Sequence, residues 1–297
     1  VISEAEFPFE KYDTEIIAAS QATPVAPFSL LDRYSLRGMS EELERMAVEQ
    51  VCVLGDIALM GQATALFAAP NTGKTLIMLH MLIESIKQGR IDPAKVYYIN
   101  VDDTHRGLTD KLGIADEYGF HMLSDGYKKF NVGEFVGILR EMIDKNQARG
   151  VIVILDTLKK FVNMMDKTKS SHFTRIVRQF VLKGGTVIAL AHTNKNKGQN
   201  GKPVYSGTSD IVDDFDCAYT LATLSHDGDE KVVEFENIKR RGMVADIAAY
   251  RYKTSHANSY AEVLLSVSTI EAEQILSIKE AEAIKSDAEV IAAVAAS

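Results

Sequence analysis

The chain has 297 residues, 46 % of them hydrophobic and 25 % charged, with a formal net charge of −8. This is the balance of a soluble globular protein, long enough for one large α/β domain with arms or for two small domains. No apolar run approaches the roughly 18 residues of a membrane span, and Cys52 and Cys217 lack metal-ligand spacing, so a reduced, cytoplasmic protein with both thiols buried is expected.

The chain opens on Val1 with no basic-then-apolar leader, and reads as a trimmed or internal piece of a longer protein. Residues 1–27 are acidic, contain Pro8, Pro24 and Pro27 and show little periodicity, as in an extended arm. From Ser40 the pattern Ser-Glu-Glu-Leu-Glu-Arg-Met-Ala predicts a helix with acids in its first turn. The expected division is an arm and helix over 1–50, a nucleotide-binding core over 51–254, and a C-terminal tail over 255–297. Charge follows it: 1–50 carries −6, 51–254 carries +3 and 255–297 carries −5. Within the core, 157–202 holds ten Lys and Arg against the single acid Asp166. A basic segment of this kind can bind a polyanion although the whole chain is acidic.

The core begins with the apolar run Ala63–Phe67, then Ala68-Ala69-Pro70-Asn71-Thr72-Gly73-Lys74-Thr75, then the helical pattern Leu76–Ile83. Strand, tight loop and helix with Gly-Lys-Thr at the helix start is the arrangement of a phosphate-binding P-loop. Backbone N–H groups of Ala69, Asn71, Thr72 and Gly73 would frame the phosphates, with Pro70 part of the same loop. Lys74 would reach the β- and γ-phosphates, and the Thr75 hydroxyl would join a Mg²⁺ shell. Ala68 stands where the motif's first glycine is usual.

Strand-like runs recur at Lys95–Val101, ending in Asp102-Asp103, at Val151–Leu155, closing on Asp156, and at Thr186–Ala191, ending in His192. Helices are expected between them over 104–118, 134–149 (ended by Gly150) and 171–182, with strand and turn over 119–127. The alternation predicts a mainly parallel sheet covered on both faces, with ligands beyond the strands' carboxyl ends. Beyond 217 the rhythm changes to three strand-like runs, 217–224, 231–238 and 246–253, the first two joined by Asp227-Gly228-Asp229. These predict antiparallel strands on the same sheet, and 269–295 predicts a helical tail.

The strand ends carry the candidate chemistry. Asp156 closes an apolar strand of the Walker B kind and would hold Mg²⁺ or its waters. Asp102 is the candidate general base toward water, with Asp103 as helix cap; the reverse assignment stays open. His192 could sense the γ-phosphate or be structural. Lys159 and Lys160 follow Asp156, and Lys195, Lys197 and Lys202 lie in the loop after His192. The latter loop suits phosphate-backbone contact, with a plain solvated loop as the alternative. Lys239 and Arg241, in a turn after a strand, could reach a neighbouring subunit's γ-phosphate.

In this order the motifs resemble the RecA/DnaB-type ATPases, and look closest to the plasmid RepA-type hexameric helicases that occur as AAA-family ATPases in phages and mobile elements. The similarity spans about 51–254. It implies an α/β RecA-like P-loop core with C-terminal antiparallel strands, ATP and Mg²⁺ as cofactors, and catalytic roles for Asp102, Asp156 and His192. In the family a Glu is usual at the place of Asp102. The loops holding Lys159, Lys160, Lys195, Lys197 and Lys202 would contact single-stranded DNA, and Lys239 and Arg241 would be the trans-acting piston and finger of a homo-oligomeric ring, most simply a hexamer. A recombination or repair ATPase of RecA or RadA kind, and an ATP-dependent assembly switch without DNA, are the alternative readings.

Overall fold

Apolar residues on both sides of a strand leave it stable only between two covering layers, and this chain has several such strands. The computed structural model describes residues 29–46, 51–162, 167–193, 209–255 and 259–295. The chain divides into two compact units, Val1–Met46 and Ala47–Ser297. In the first, the expected helix α1 spans Ser40–Met46, with Glu41 and Glu42 in its opening turn.

The second unit is built on a nine-stranded sheet in the order β11-β10-β9-β8-β3-β7-β6-β4-β5. The strands are β3 (Ala63–Ala68), β4 (Val96–Asn100), β5 (His121–Leu123), β6 (Ile152–Asp156), β7 (Thr186–His192), β8 (Cys217–Asp227), β9 (Glu230–Lys239), β10 (Ile247–Lys253) and β11 (Ser268–Ile270). A short antiparallel hairpin, β1 (Cys52–Leu54) and β2 (Ala58–Leu59), precedes it. The pairs from β5 through β4, β6, β7 and β3 to β8 are parallel. Those from β8 through β9 and β10 to β11 are antiparallel. The expected fold is the observed one: a mainly parallel P-loop core extended by C-terminal antiparallel strands.

Side chains alternate between the two faces. Leu66, Tyr98, Ile154, Ile188 and Leu190 belong to one core, shared with α2 (Lys74–Lys87), α3 (His105–Tyr118) and α7 (Tyr260–Leu265). Ala65, Phe67, Val153, Leu155 and Ala189 belong to the other, shared with α4 (Phe135–Asp144) and α5 (Lys167–Leu182). Burying one such aliphatic side chain stabilises by about 1.5–3 kcal/mol, so β3, buried along its whole length, is fixed firmly beneath the loop that follows it. A small third core, Val232, Ala249, Ile270 and Ile275, ties α8 (Ala272–Ala295) to the antiparallel end. A further helix, α6, spans Ser209–Asp214.

Some local expectations are corrected. The helix predicted to reach Gly150 ends at Asp144, because Asn146 takes a left-handed conformation with φ 54°. Asn tolerates that region better than most residues, and the Gln147 N–H then bonds back to the Met142 carbonyl. The hairpin β1–β2, the helix α7 with its Ser259–Glu262 capping box, and β11 carry signals too short to stand out in the sequence. Cys217 is buried as expected, but Cys52 is only half-buried. Among the described residues no helix is long and apolar enough to cross a membrane.

Candidate functional site

The sheet order brings the carboxyl ends of β3, β7, β6 and β4 side by side. The loop Ala69–Gly73 leaves β3 there and enters α2 through Gly73, whose φ of 95° favours glycine. A Cβ on Gly73 would lie 2.5 Å from the Tyr252 hydroxyl and 2.7 Å from its ring. Tyr252, on β10, donates from its hydroxyl to the Thr72 carbonyl (3.1 Å), and Lys231, on β9, donates to the Asn71 carbonyl (2.7 Å). The antiparallel extension thus grips the loop's outer carbonyls. The first N–H groups of α2 have no intrahelical acceptor and sit at the positive end of the helix. Ala68 is fully buried at the end of β3. Pro70 and Asn71 complete the exposed crest, with the Thr72 hydroxyl bonded to the Ala69 carbonyl (2.8 Å).

The Thr75 hydroxyl donates to Asp156 Oδ2 (2.9 Å), and so does the hydroxyl of Tyr98 (2.9 Å). Neighbouring oxygens on a Mg²⁺ octahedron with bonds of 2.0–2.1 Å are about 2.9 Å apart, so Thr75 and Asp156 fit adjacent places around that ion or its waters. Among the described residues no cluster of three His, Cys, Asp or Glu could hold a metal by itself. Asn100 Nδ2 donates both to the Tyr98 hydroxyl (2.8 Å) and to Asp103 Oδ2 (2.7 Å). Its Oδ1 accepts the N–H groups of Asp102 and Asp103, each at 3.2 Å. Burial, reinforced by the Asp156 charge, holds the Tyr98 hydroxyl well above its ordinary range, so it acts as a fixed neutral donor.

This network corrects the expected cap. Asp103 does not cap α3, whose N-cap Thr104 has no side-chain cap bond. Its carboxylate is taken by Asn100 and by the buried Lys111, seven residues into the helix. A buried ammonium needs a counter-charge more than a helix start needs a cap.

Asp102 is left at the open edge. His192 Nε2 lies 3.7 Å from Asp102 Oδ2, and Lys159 and Lys160 lie 4.0 and 3.9 Å from Oδ1. Lys74 is 6 % exposed and its ammonium donates to the Ala191 carbonyl (3.1 Å). Burial lowers its pKa to about 8 against the pull of Asp156 and Asp102, with Lys159 adding to the lowering. Burial, followed by Lys74 and Lys159, also lowers His192, with Asp102 opposing. Ala69 to Thr75, Asp102, Asp156, His192, Lys159 and Lys160 therefore meet at one edge. The sequence had indicated each of these, but not Tyr98, Asn100, Lys111, Lys231 or Tyr252. The one available signal was that Tyr98 and Asn100, two apart on a strand, share a face.

Lys239 and Arg241 lie elsewhere. Lys239 pairs with Ala218 at the foot of β8 and donates to the carbonyls of Val212 (2.8 Å) and Asp213. Arg241 donates to Asp216 Oδ1 (2.6 Å), which also accepts from Arg178 (2.7 Å), while Asp216 Oδ2 accepts the Ala63 N–H (3.0 Å). Ala63 opens β3, so Arg241 is held five residues of strand, about 17 Å, from the end of β3 where the P-loop begins. Lys195, Lys197 and Lys202 fall outside the described residues.

No curated protein matches the sequence. A family model described as AAA domain (AAA_25) matches residues 49–198, a stretch that runs from before β1 to just past His192 and contains the P-loop, Asp102 and Asp156. That match covers half of the 297 residues. The chain belongs to this AAA domain family of P-loop ATPases.

Proposed function

We propose that the chain is the ATP-hydrolysing motor of a ring-forming DNA helicase, of the replicative kind resembling the plasmid RepA type and carried by a plasmid, phage or integrated element. The observation that carries the reading is a division of labour across the sheet. Phosphate-binding, metal-binding and candidate base residues share one edge, while Lys239 and Arg241 sit at the opposite edge, too far to serve their own P-loop. Two basic residues so placed suit a neighbour's nucleotide, and a head-to-tail interface that repeats in this way gives a ring where its rotation closes and a filament where it does not.

In this reading the P-loop and Lys74 hold the β- and γ-phosphates of ATP. Thr75 and Asp156 would hold Mg²⁺, which would supply positive charge against the phosphates. Asp102 orients water and takes its proton as the water oxygen bonds to the γ-phosphorus and the bond to ADP breaks. His192, adjacent to Asp102 and two residues before Asn194, would link the state of the γ-phosphate to Lys195, Lys197 and Lys202. With Lys159 and Lys160 these would line a channel around single-stranded DNA.

The test is ATP hydrolysis with and without single-stranded DNA, alongside the mass of the particle with nucleotide. Stimulated hydrolysis by a closed ring, lost in Lys74→Ala, is the expected result. Open filaments on DNA would favour a recombination ATPase instead, and hydrolysis without any response to DNA would favour an assembly switch.

A further inference from the structure

The turn that follows β5 belongs to no part of the ATP site, yet it is built in an unusual way. Over Gly126–Lys129 three of four residues have left-handed backbones: Gly126 (φ 80°), Lys128 (φ 46°) and Lys129 (φ 64°). Two consecutive lysines in that region are costly for the chain to hold, and such conformations gather at sites where they are used. The surroundings over-determine the turn. The Gly126 N–H bonds to the Phe130 carbonyl (2.9 Å), the Phe130 N–H to the Tyr127 carbonyl (2.8 Å), and the Val132 N–H to Asp125 Oδ1 (2.8 Å). Phe130 packs into the same core as Phe161, which follows Lys160 directly. The turn and the Lys159–Lys160 segment are thus rooted on one face of the sheet at its carboxyl edge.

What the turn presents is basic and aromatic. Lys128 and Lys129 are exposed and form no ion pair with a described residue. Tyr127 is 48 % exposed; its hydroxyl is 2.7 Å from His105 Nδ1, and the His105 ring meets it edge-on at 6.2 Å. This props the tyrosine ring upright while leaving part of it to solvent. Of the acids nearby, Asp125 accepts the Val132 N–H and Asp102 faces Lys159, Lys160 and His192, while Glu134 is exposed in the turn that follows. β5 stands four strands from β3, about 19 Å, so the lysines cannot serve the P-loop of their own subunit. It stands only two strands, about 10 Å, from β6 and Lys159–Lys160.

We infer that the Gly126–Phe130 turn is a third contact for single-stranded nucleic acid, in which Lys128 and Lys129 hold backbone phosphates and Tyr127 stacks on a base. Charged residues along the backbone with an aromatic platform for bases are what sequence-tolerant single-strand binding requires. The inference rests on the DNA-motor reading and extends the strand's path from the loop after β6 to the sheet's edge.

The test measures binding of a labelled oligothymidine to the full chain with a non-hydrolysable ATP analogue, over a range of salt. Asn tolerates the left-handed region better than Lys, so Lys128→Asn/Lys129→Asn removes charge without burdening the fold. With two phosphate contacts gone, the slope of log K against log salt should become shallower by about 1.4. Tyr127→Ala should weaken binding about 5- to 150-fold, and ATP-analogue binding should be unchanged in both. If these variants bind like the wild type while Lys159→Ala/Lys160→Ala binds more weakly, the turn is no contact and only this inference falls. If polyglutamate displaces the oligonucleotide equally well and Tyr127→Ala has no effect, the turn is a surface for acidic partners and the inference is overturned. If the wild type binds no single strand at all, the DNA-motor reading fails, and this inference with it.

Discussion

Lys74 shows how a single residue is tuned by its place in the fold. Its ammonium is buried against the Ala191 carbonyl, and the loss of water lowers its pKa from 10.5 to about 8. A bound phosphate would favour the charged form and raise the pKa again. Nucleotide affinity should therefore fall as pH rises through about 8, because binding must then draw a proton from solution. Calorimetry at pH 8.5 in buffers of different ionisation heat should show net proton uptake, and Lys74→Arg, charged throughout, should abolish it. Equal heats in all buffers would contradict the assignment. Gly73 makes a complementary case. Gly73→Ala places a Cβ within 2.7 Å of the Tyr252 ring and adds about 1–2 kcal/mol of left-handed strain. The variant should melt at lower temperature and bind a fluorescent ATP analogue at least tenfold more weakly. The need for Gly-Lys-Thr was legible because the motif is local, whereas Tyr252, which seals it, is 180 residues away from Thr72 and left no mark in the sequence.

At the scale of elements, β4 and β6 cooperate through side chains rather than backbone alone. Tyr98 on β4 donates to Asp156 on β6 and accepts from Asn100. Tyr98→Phe removes only the shared hydroxyl, and should destabilise by about 1–3 kcal/mol because Asn100 and Asp156 are left short of a partner. It should also raise the Mg²⁺ concentration needed for half-maximal nucleotide binding, a change that a purely structural tyrosine would not produce. At the foot of the sheet Asp216 is 2 % exposed and joins the start of β3 to Arg178 and Arg241. Both arginines are about half exposed, so water can take them up when the acid is lost. The cost of Asp216→Asn in a chemical-denaturation curve should accordingly be about 1–3 kcal/mol, below the 3–5 kcal/mol of a fully buried pair. The strands and their order of chemistry were readable, since each core strand is an apolar run ending in a polar residue. The role of Asp103 was not: as a helix-start Asp it looks like a cap, and only the fold reveals that Lys111 claims it.

For the molecule as a whole, the sequence carried the parallel core, its antiparallel extension and the clustering of Lys74, Thr75, Asp156, Asp102 and His192. It could not carry which edge of the sheet each basic residue occupies, since that depends on register between strands far apart in the chain. Register sets Arg241 level with Ala63 through Asp216, and so removes it from its own P-loop. If, as proposed, ATP hydrolysis at one P-loop needs Arg241 from another copy, mixing two inactive variants should restore it. Lys74→Ala lacks a working P-loop but keeps the finger, and Arg241→Ala has the opposite defect. Mixed in equal amounts with single-stranded DNA and ATP, they should regain hydrolysis, because about a quarter of the interfaces in a randomly assembled ring join an intact P-loop to an intact finger. Hydrolysis by the mixture no greater than the mean of the two variants alone, measured under conditions where they exchange subunits, would contradict the claim.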